Sequence, residues 1–133
     1  MQVYESFMDA QSNNDVEALL ATFAPGASWY IPGDPGLVPW VGARDRAGIA
    51  DYQVAITANA TPTSFSVQKV LVDGEDLVAL GRFGFSFASG GSLEDPFAIH
   101  FVIRDGLIHE FSIHEDSLNL AREFTGTAVV SAP

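Results

Sequence analysis

Four side chains in this sequence have the chemistry to move a proton or hold a developing oxyanion: Tyr30, Arg82, His100 and Glu115. Histidine exchanges a proton near neutral pH. A carboxylate such as Glu115 at the mouth of an apolar space is pushed toward its neutral acid and can act as a base. A tyrosine hydroxyl donates to a carbonyl oxygen. A buried arginine needs an acceptor, either a protein carboxylate or an enolate-like ligand oxygen. Each also has a plainer reading: a hydrogen-bonded core His100, an Arg82 in a structural ion pair, a Tyr30 packed as an aromatic, a solvated Glu115 at a strand end. Other signatures are missing. There is no HExxH, GxSxG, phosphate-binding loop or dinucleotide fingerprint. His100, His109 and His114 do not fall into a metal-ligand spacing, Ser28 has no adjacent base, and there is no cysteine. Neither a metal nor a cofactor is expected.

Strand alternation decides which of these groups can meet. Arg104-Asp105-Gly106-Leu107 carries the strongest hairpin signal, because Asp-Gly suits a two-residue type I′ turn. Counting back from that turn pairs Val102 with His109, His100 with Phe111 and Ala98 with Ile113. Cross-strand partners share a face. One face is therefore expected to carry Ala98, His100, Val102, Phe111, Ile113 and Glu115. On the preceding strand Leu80, Arg82 and Gly84 are assigned to that inner face, with Gly84 widening the space. Phe83, Phe85 and Phe87 then point the other way. Three Phe on one face exceed what a monomer normally exposes, so a homodimer is expected there, with Trp29 and His114 also at the interface.

The remaining elements follow from periodicity. Val3, Phe7 and Met8 begin a first helix, and Asn14 with Glu17 has the form of a capping box for a second. Ala27 to Ile31 is a short strand. The stretch from Pro32 to Gly42 is a Pro- and Gly-rich rim loop that brings Asp34 and Trp40 to the mouth. A third helix from Asp45 places Tyr52 on a wall. Four strands follow, over Ser64–Val72, Leu77–Ala88, Phe97–Ile103 and Ile108–Glu115. A short helix over Ser117–Phe124 closes the chain, and Thr125 to Pro133 reads as a loose or extended tail. Helices first and an antiparallel meander afterwards make this an α+β chain of one domain over residues 1–133.

Composition bounds the partners. The chain has 133 residues, 47% of them hydrophobic, and a formal net charge of -11. An acidic surface without a basic patch repels phosphate backbones, so no nucleic acid is expected. No apolar run is long enough to span a membrane. Met1-Gln2-Val3-Tyr4-Glu5 lacks the character of a secretion signal, which leaves a cytoplasmic location as the default expectation.

Taken in order, Trp29-Tyr30-Ile31-Pro32-Gly33, Pro39-Trp40-Val41-Gly42, Pro96-Phe97-Ala98-Ile99-His100-Phe101, Arg104-Asp105-Gly106-Leu107-Ile108 and Glu115-Asp116-Ser117 resemble the SnoaL-like branch of the NTF2-like superfamily. That branch is similar to ketosteroid isomerase, polyketide cyclases and limonene epoxide hydrolase. The resemblance, over roughly Val3 to Phe124, implies a cone: a strongly bent sheet around a helix, with an apolar pocket inside. Against limonene epoxide hydrolase it implies an arginine at Arg82, a tyrosine and an asparagine position at Ser28 and Tyr30, and two carboxylate positions that fall on Gly84 and Ile113. This chain keeps the arginine and lacks both carboxylates, so a direct copy of that mechanism is not expected.

Three functions remain open at this point. One is a cofactor-free enzyme of isomerase, cyclase, dehydratase or hydrolase type, acting by proton transfer on a small, mostly apolar carbonyl or cyclic compound. The second is a non-catalytic small-molecule binder. The third is a structural dimerisation domain. Convergence of His100, Tyr30 and Arg82 in one cavity separates the first from the others.

Overall fold

The computed structural model describes residues 2–126. Helices α1 (Gln2–Ser12) and α2 (Val16–Ala21) precede β1 (Phe23–Ile31) and β2 (Gly42–Asp45). A 3-10 turn over Arg46–Gly48 leads into α3 (Ile49–Asn59). Then come β3 (Ala60–Asp73), β4 (Asp76–Phe87), β5 (Ser92–Arg104), β6 (Leu107–His114) and α4 (Ser117–Thr125). The six strands form one sheet in the order β2-β1-β6-β5-β4-β3. Only the β1–β6 pairing is parallel. This is the expected α+β architecture, with N-terminal helices against a curved sheet. No helix among the described residues is long and apolar enough to cross a membrane.

An aromatic cluster fixes the helices to the sheet. Phe7 of α1 packs edge-on against Phe101, 5.1 Å between ring centroids, and beside Phe111 at 5.3 Å. Trp29 of β1 stacks on Phe111 at 4.1 Å and meets Tyr52 of α3 at 4.6 Å. Trp29, Phe7, Phe101 and Phe111 are all buried. Trp29 is therefore a core residue, not the interface residue expected from its parity.

The hairpin turn forms as expected, with Asp105 at φ 54° and Gly106 at φ 74°. Both type I′ central residues need positive φ. The strands beyond it hold a surprise. Arg104 pairs with Leu107 and Ile103 with Ile108, but Val102 then pairs with Glu110. His109 is an extra residue, a bulge on β6. Past it, Phe101 opposes Phe111, Ile99 opposes Ile113 and His100 opposes Ser112. One inserted residue thus moves His100 to the opposite face from Phe111.

The same shift reassigns β4. Leu77, Ala79 and Gly81 pair with Phe101, Ile99 and Phe97 on the inner face, and Phe83, Phe85 and Phe87 continue that face. Gly81 is required there: a Cβ would run into the Ser66 carbonyl oxygen and approach Phe97 Cζ to 2.7 Å. Two further expectations shift. Asp15, not Asn14, caps α2, accepting from Ala18 N at 3.1 Å, while Asn14 takes φ 52°. Thr125 ends α4 and Gly126 caps it in the left-handed region, so the first two residues of the expected tail belong to the helix end; residues 127–133 lie outside the described residues.

Substituting Gly81→Ala forces either the β3 backbone or Phe97 to move. The expected cost is roughly 1–3 kcal/mol, read from the urea unfolding midpoint. An unchanged midpoint contradicts the close approach of β3 to β4 at this point.

Candidate functional site

The inner face of the sheet, α1, α3 and α4 enclose a cavity of about 530 Å³. That is within the usual range for a small-molecule site. From β4 come Phe83, Phe85 and Phe87, from β5 Ile99, and from β6 and its end Phe111, Ile113 and Glu115. Helix α1 contributes Phe7, Met8 and Gln11, and α3 contributes Tyr52, Gln53, Ile56 and Thr57. Trp40, from the rim loop, is buried and closes one end, edge-on to Phe124 of α4 at 4.9 Å and 6.0 Å from Phe87.

Glu115 is the chemically distinctive group on this wall. It follows the last residue of β6, and alternation from Phe111 through Ile113 turns it inward. Burial pushes its carboxyl up to about 7, with the negative charges of Asp95 and Asp116 adding to the effect. Among the described residues no cation or hydrogen bond offsets these causes. The neighbouring acids are held in place by α4. Asp116 caps the helix, accepting from Asn119 N at 2.9 Å, and Asn119 Nδ2 donates to Asp95 Oδ2 at 2.8 Å.

Tyr52 is the second polar group. Burial drives its hydroxyl well above the usual tyrosine range, and Glu115 adds to the shift; a hydrogen bond with Gln11 and the charge of Arg44 pull the other way. The hydroxyl therefore stays protonated and remains a donor. Gln53 donates to Asn14 Oδ1 at 2.8 Å, while its own Oε1 is buried without a partner. Glu115 can exchange a proton near neutral pH, with Tyr52 as a neutral donor in the same cavity.

Of the expected catalytic set, only Glu115 faces this cavity. His100 lies on the outer face, opposite Val78 and Ser112, with Nε2 2.7 Å from Asp76 Oδ1. Arg82 is exposed, opposite Pro96, and reaches only the Glu94 carbonyl at 3.4 Å. Tyr30 is 47% exposed, and with Ser28 it lines a shallow depression on the outside of β1 and β2. The expected convergence of His100, Tyr30 and Arg82 is therefore corrected.

Among the expected lining residues, Trp40, Tyr52, Phe111 and Ile113 face the cavity. Leu80 and Ala98 pair with each other on the outer face, and Val102 opposes Asp76 and Glu110 near the hairpin. Gly84 does not widen the cavity: a Cβ there would meet Ser64 Oγ at 2.6 Å and Thr63 Oγ1 at 2.7 Å. Asp34 is spent within its own loop, accepting from Gly36 N at 2.8 Å. Phe83, Phe85 and Phe87 are inside the cone, which removes the exposed aromatic face from which a partner subunit was inferred. His114 is exposed on the outer face, 3.2 Å from Ser112 Oγ. Met8, Gln11 and Ser12, like Gln53, Ile56 and Thr57, were missed. Their helical spacing is the signal that points them to one side.

The sequence matches the SnoaL-like domain family over residues 4–111. The chain belongs to the SnoaL-like family. Glu115 lies just beyond the matched stretch of this SnoaL-like domain. No curated protein matches it. Among solved structures, it is similar to an NTF2-like protein of unknown function from Burkholderia pseudomallei, 20% identical, covering 94% of this chain and 96% of that one at a TM-score of 0.85. A Rhodopseudomonas palustris protein provisionally named an isomerase is 16% identical over 94% of this chain and 97% of that one, TM-score 0.82. TerC, crystallised with polyporic acid, is 17% identical over 95% and 97%, TM-score 0.80. At these identities the likeness is one of fold.

The raised carboxyl of Glu115 has a signed effect on stability. The unfolded chain loses this proton near the ordinary value of 4.5 and the folded chain near 7. Between those values the folded state binds more protons, so stability falls as pH rises through that window. Glu115→Gln removes that slope. At pH 8 the variant is expected to be more stable than the parent by on the order of 2 kcal/mol, a gap that closes below the unfolded value. Parallel stability–pH curves for the two proteins contradict the assignment.

Proposed function

We propose that this SnoaL-like domain is a cofactor-free enzyme that moves a proton on a small, mostly apolar carbonyl or cyclic compound held in the cone. The observation that carries the reading is Glu115, a carboxyl raised to about 7 inside an apolar cavity with no cation beside it. A base poised near the working pH is half available as base and half as acid, the condition under which general acid–base catalysis is most effective. In this reading Glu115 takes a proton from a carbon next to a carbonyl and returns it elsewhere on the skeleton. Tyr52 donates to the oxygen on which negative charge develops. The walls of Phe83, Phe85, Phe87 and Phe111 hold the carbon body and keep water from the reacting centre.

The relatives support this coarsely, one by its isomerase name and another by its co-crystallised organic ligand. The structural reading loses its support in a specific place: it rested on the Phe83, Phe85 and Phe87 face, and those residues line the cavity.

Exchange of acidic C–H protons tests the reading without the natural substrate. A panel of cyclic ketones is incubated with the protein in D₂O and followed by proton NMR. At least one ketone is expected to exchange faster with the protein than with buffer. Glu115→Gln is expected to lower that rate by roughly 10²–10⁴-fold, and Tyr52→Phe by a smaller factor. His100→Asn, on the outer face, leaves it unchanged. Exchange that survives Glu115→Gln, or is lost with His100→Asn, sinks the assignment.

A further inference from the structure

The residues lining the cavity carry a charge asymmetry. Eight of them are aromatic, two are acidic (Asp9 and Glu115), and none is Lys, Arg or His. Aromatic faces present negative electrostatic potential and attract cations within about 6 Å of the ring. The groups that face Glu115 are also acidic or neutral: Asp95 of β5, Asp116 at the head of α4, and Tyr52 of α3. Among the described residues, Arg44 is the cation that acts on this corner. It acts on Tyr52, is not among the cavity-lining residues, and donates to the carbonyls of Gly48 and Pro39 at 3.3 Å. The whole chain carries a formal charge of -11. A cleft with apolar walls focuses such a field rather than screening it.

We infer that the cavity selects cationic ligands: a hydrophobic amine, protonated in water, docks its ammonium group against Glu115 and occupies the position of the proposed base, while its carbon body fills the space between Phe83, Phe87 and Phe111. The inference rests on the reading of the cavity as a substrate site, and adds the ligand's charge to it. An ammonium ion supplies the counter-charge that the protein withholds from Glu115, so the pair forms only when the site is occupied. A carboxylate or phosphate ligand meets the opposite situation, since it is brought beside like charge with no cation to receive it. A neutral ligand gains the apolar contact alone. Binding of the amine draws Glu115 into its ionised form and releases a proton, which makes the affinity depend on pH in a known direction. With a carboxyl near 7, about a tenth is ionised at pH 6 and about nine-tenths at pH 8, so amine affinity rises about tenfold between them.

Three probes of one shape and different charge test this: N,N-dimethylbenzylamine, benzyl methyl ether and phenylacetate. Each is titrated into the full chain at pH 6 and pH 8, with dissociation constants read from NMR shifts of cavity methyl and aromatic groups. The amine is expected to bind at least tenfold more tightly than the ether at pH 8, and to weaken about tenfold at pH 6. The ether is expected to be insensitive to pH, and phenylacetate to bind worst. Glu115→Gln is expected to abolish the amine's advantage and its pH dependence while the ether still binds, which also shows that the variant is folded. An ether that binds as tightly as the amine at pH 8, phenylacetate that binds as tightly, or an amine preference that survives Glu115→Gln overturns the inference but leaves the cavity a ligand site. If none of the three perturbs the cavity, the inference and the proposed function fall together.

Discussion

A carboxyl group taken from water into an apolar enclosure must find a cation, find donors, or give up its charge. Glu115 has neither of the first two. The sheet brings it inward, α4 holds Asp95 and Asp116 near it, and its proton is retained to about 7. Arginine carries several of the chain's few positive charges, but Arg82 and Arg104 are exposed and Arg46 donates to the Leu20 and Phe23 carbonyls. The acid stays uncompensated because the cations are kept elsewhere. The expected pH dependence of stability follows from that omission, and the proposed proton transfer and ligand charge rest on it.

The enclosure exists because the helices cover the bent sheet incompletely. Phe7, Trp29, Phe101 and Phe111 lock α1 and β1 onto one end of the inner face. Trp40, Phe87 and Phe124 close another part of it. Between these two aromatic clusters Phe83 and Phe85 of β4 and Ile113 of β6 face the cavity. Gly81, where β3 and Phe97 approach, lets the sheet close without a side chain in the way.

How much of this was legible in the sequence depended on the kind of rule used. The fold class, most of the elements and the Asp105-Gly106 turn were legible, because periodicity and positive-φ chemistry are local; the four-residue strand β2 (Gly42–Asp45) was missed, being too short to show a period. Placing Phe111, Ile113 and Glu115 on one side needed only alternation within β6, and these three share the cavity wall. His100 was placed by counting pairs across the hairpin, and that count fails wherever a residue is inserted. His109 is such an insertion, and nothing in its side chain or its neighbours marks it. The same count turned Phe83, Phe85 and Phe87 outward and suggested a subunit interface. Within β4 the grouping of those residues was right; only the side was wrong. The resemblance to known relatives helped with the cone but not with the acid, because of the positions it carried over only Ile113 lines the cavity, while Arg82, Gly84, Ser28 and Tyr30 do not.

The fold therefore supplies an apolar container, and the proposed chemistry rests on Glu115, a residue just past the family match. The most direct measurement is the titration of Glu115 itself, from the carboxyl carbon shift of the labelled protein between pH 3 and pH 9, assigned by its absence in Glu115→Gln. The account predicts a midpoint near 7, well above the ordinary glutamate value of 4.5. A midpoint at the ordinary value means that Glu115 is solvated or paired, and contradicts the account.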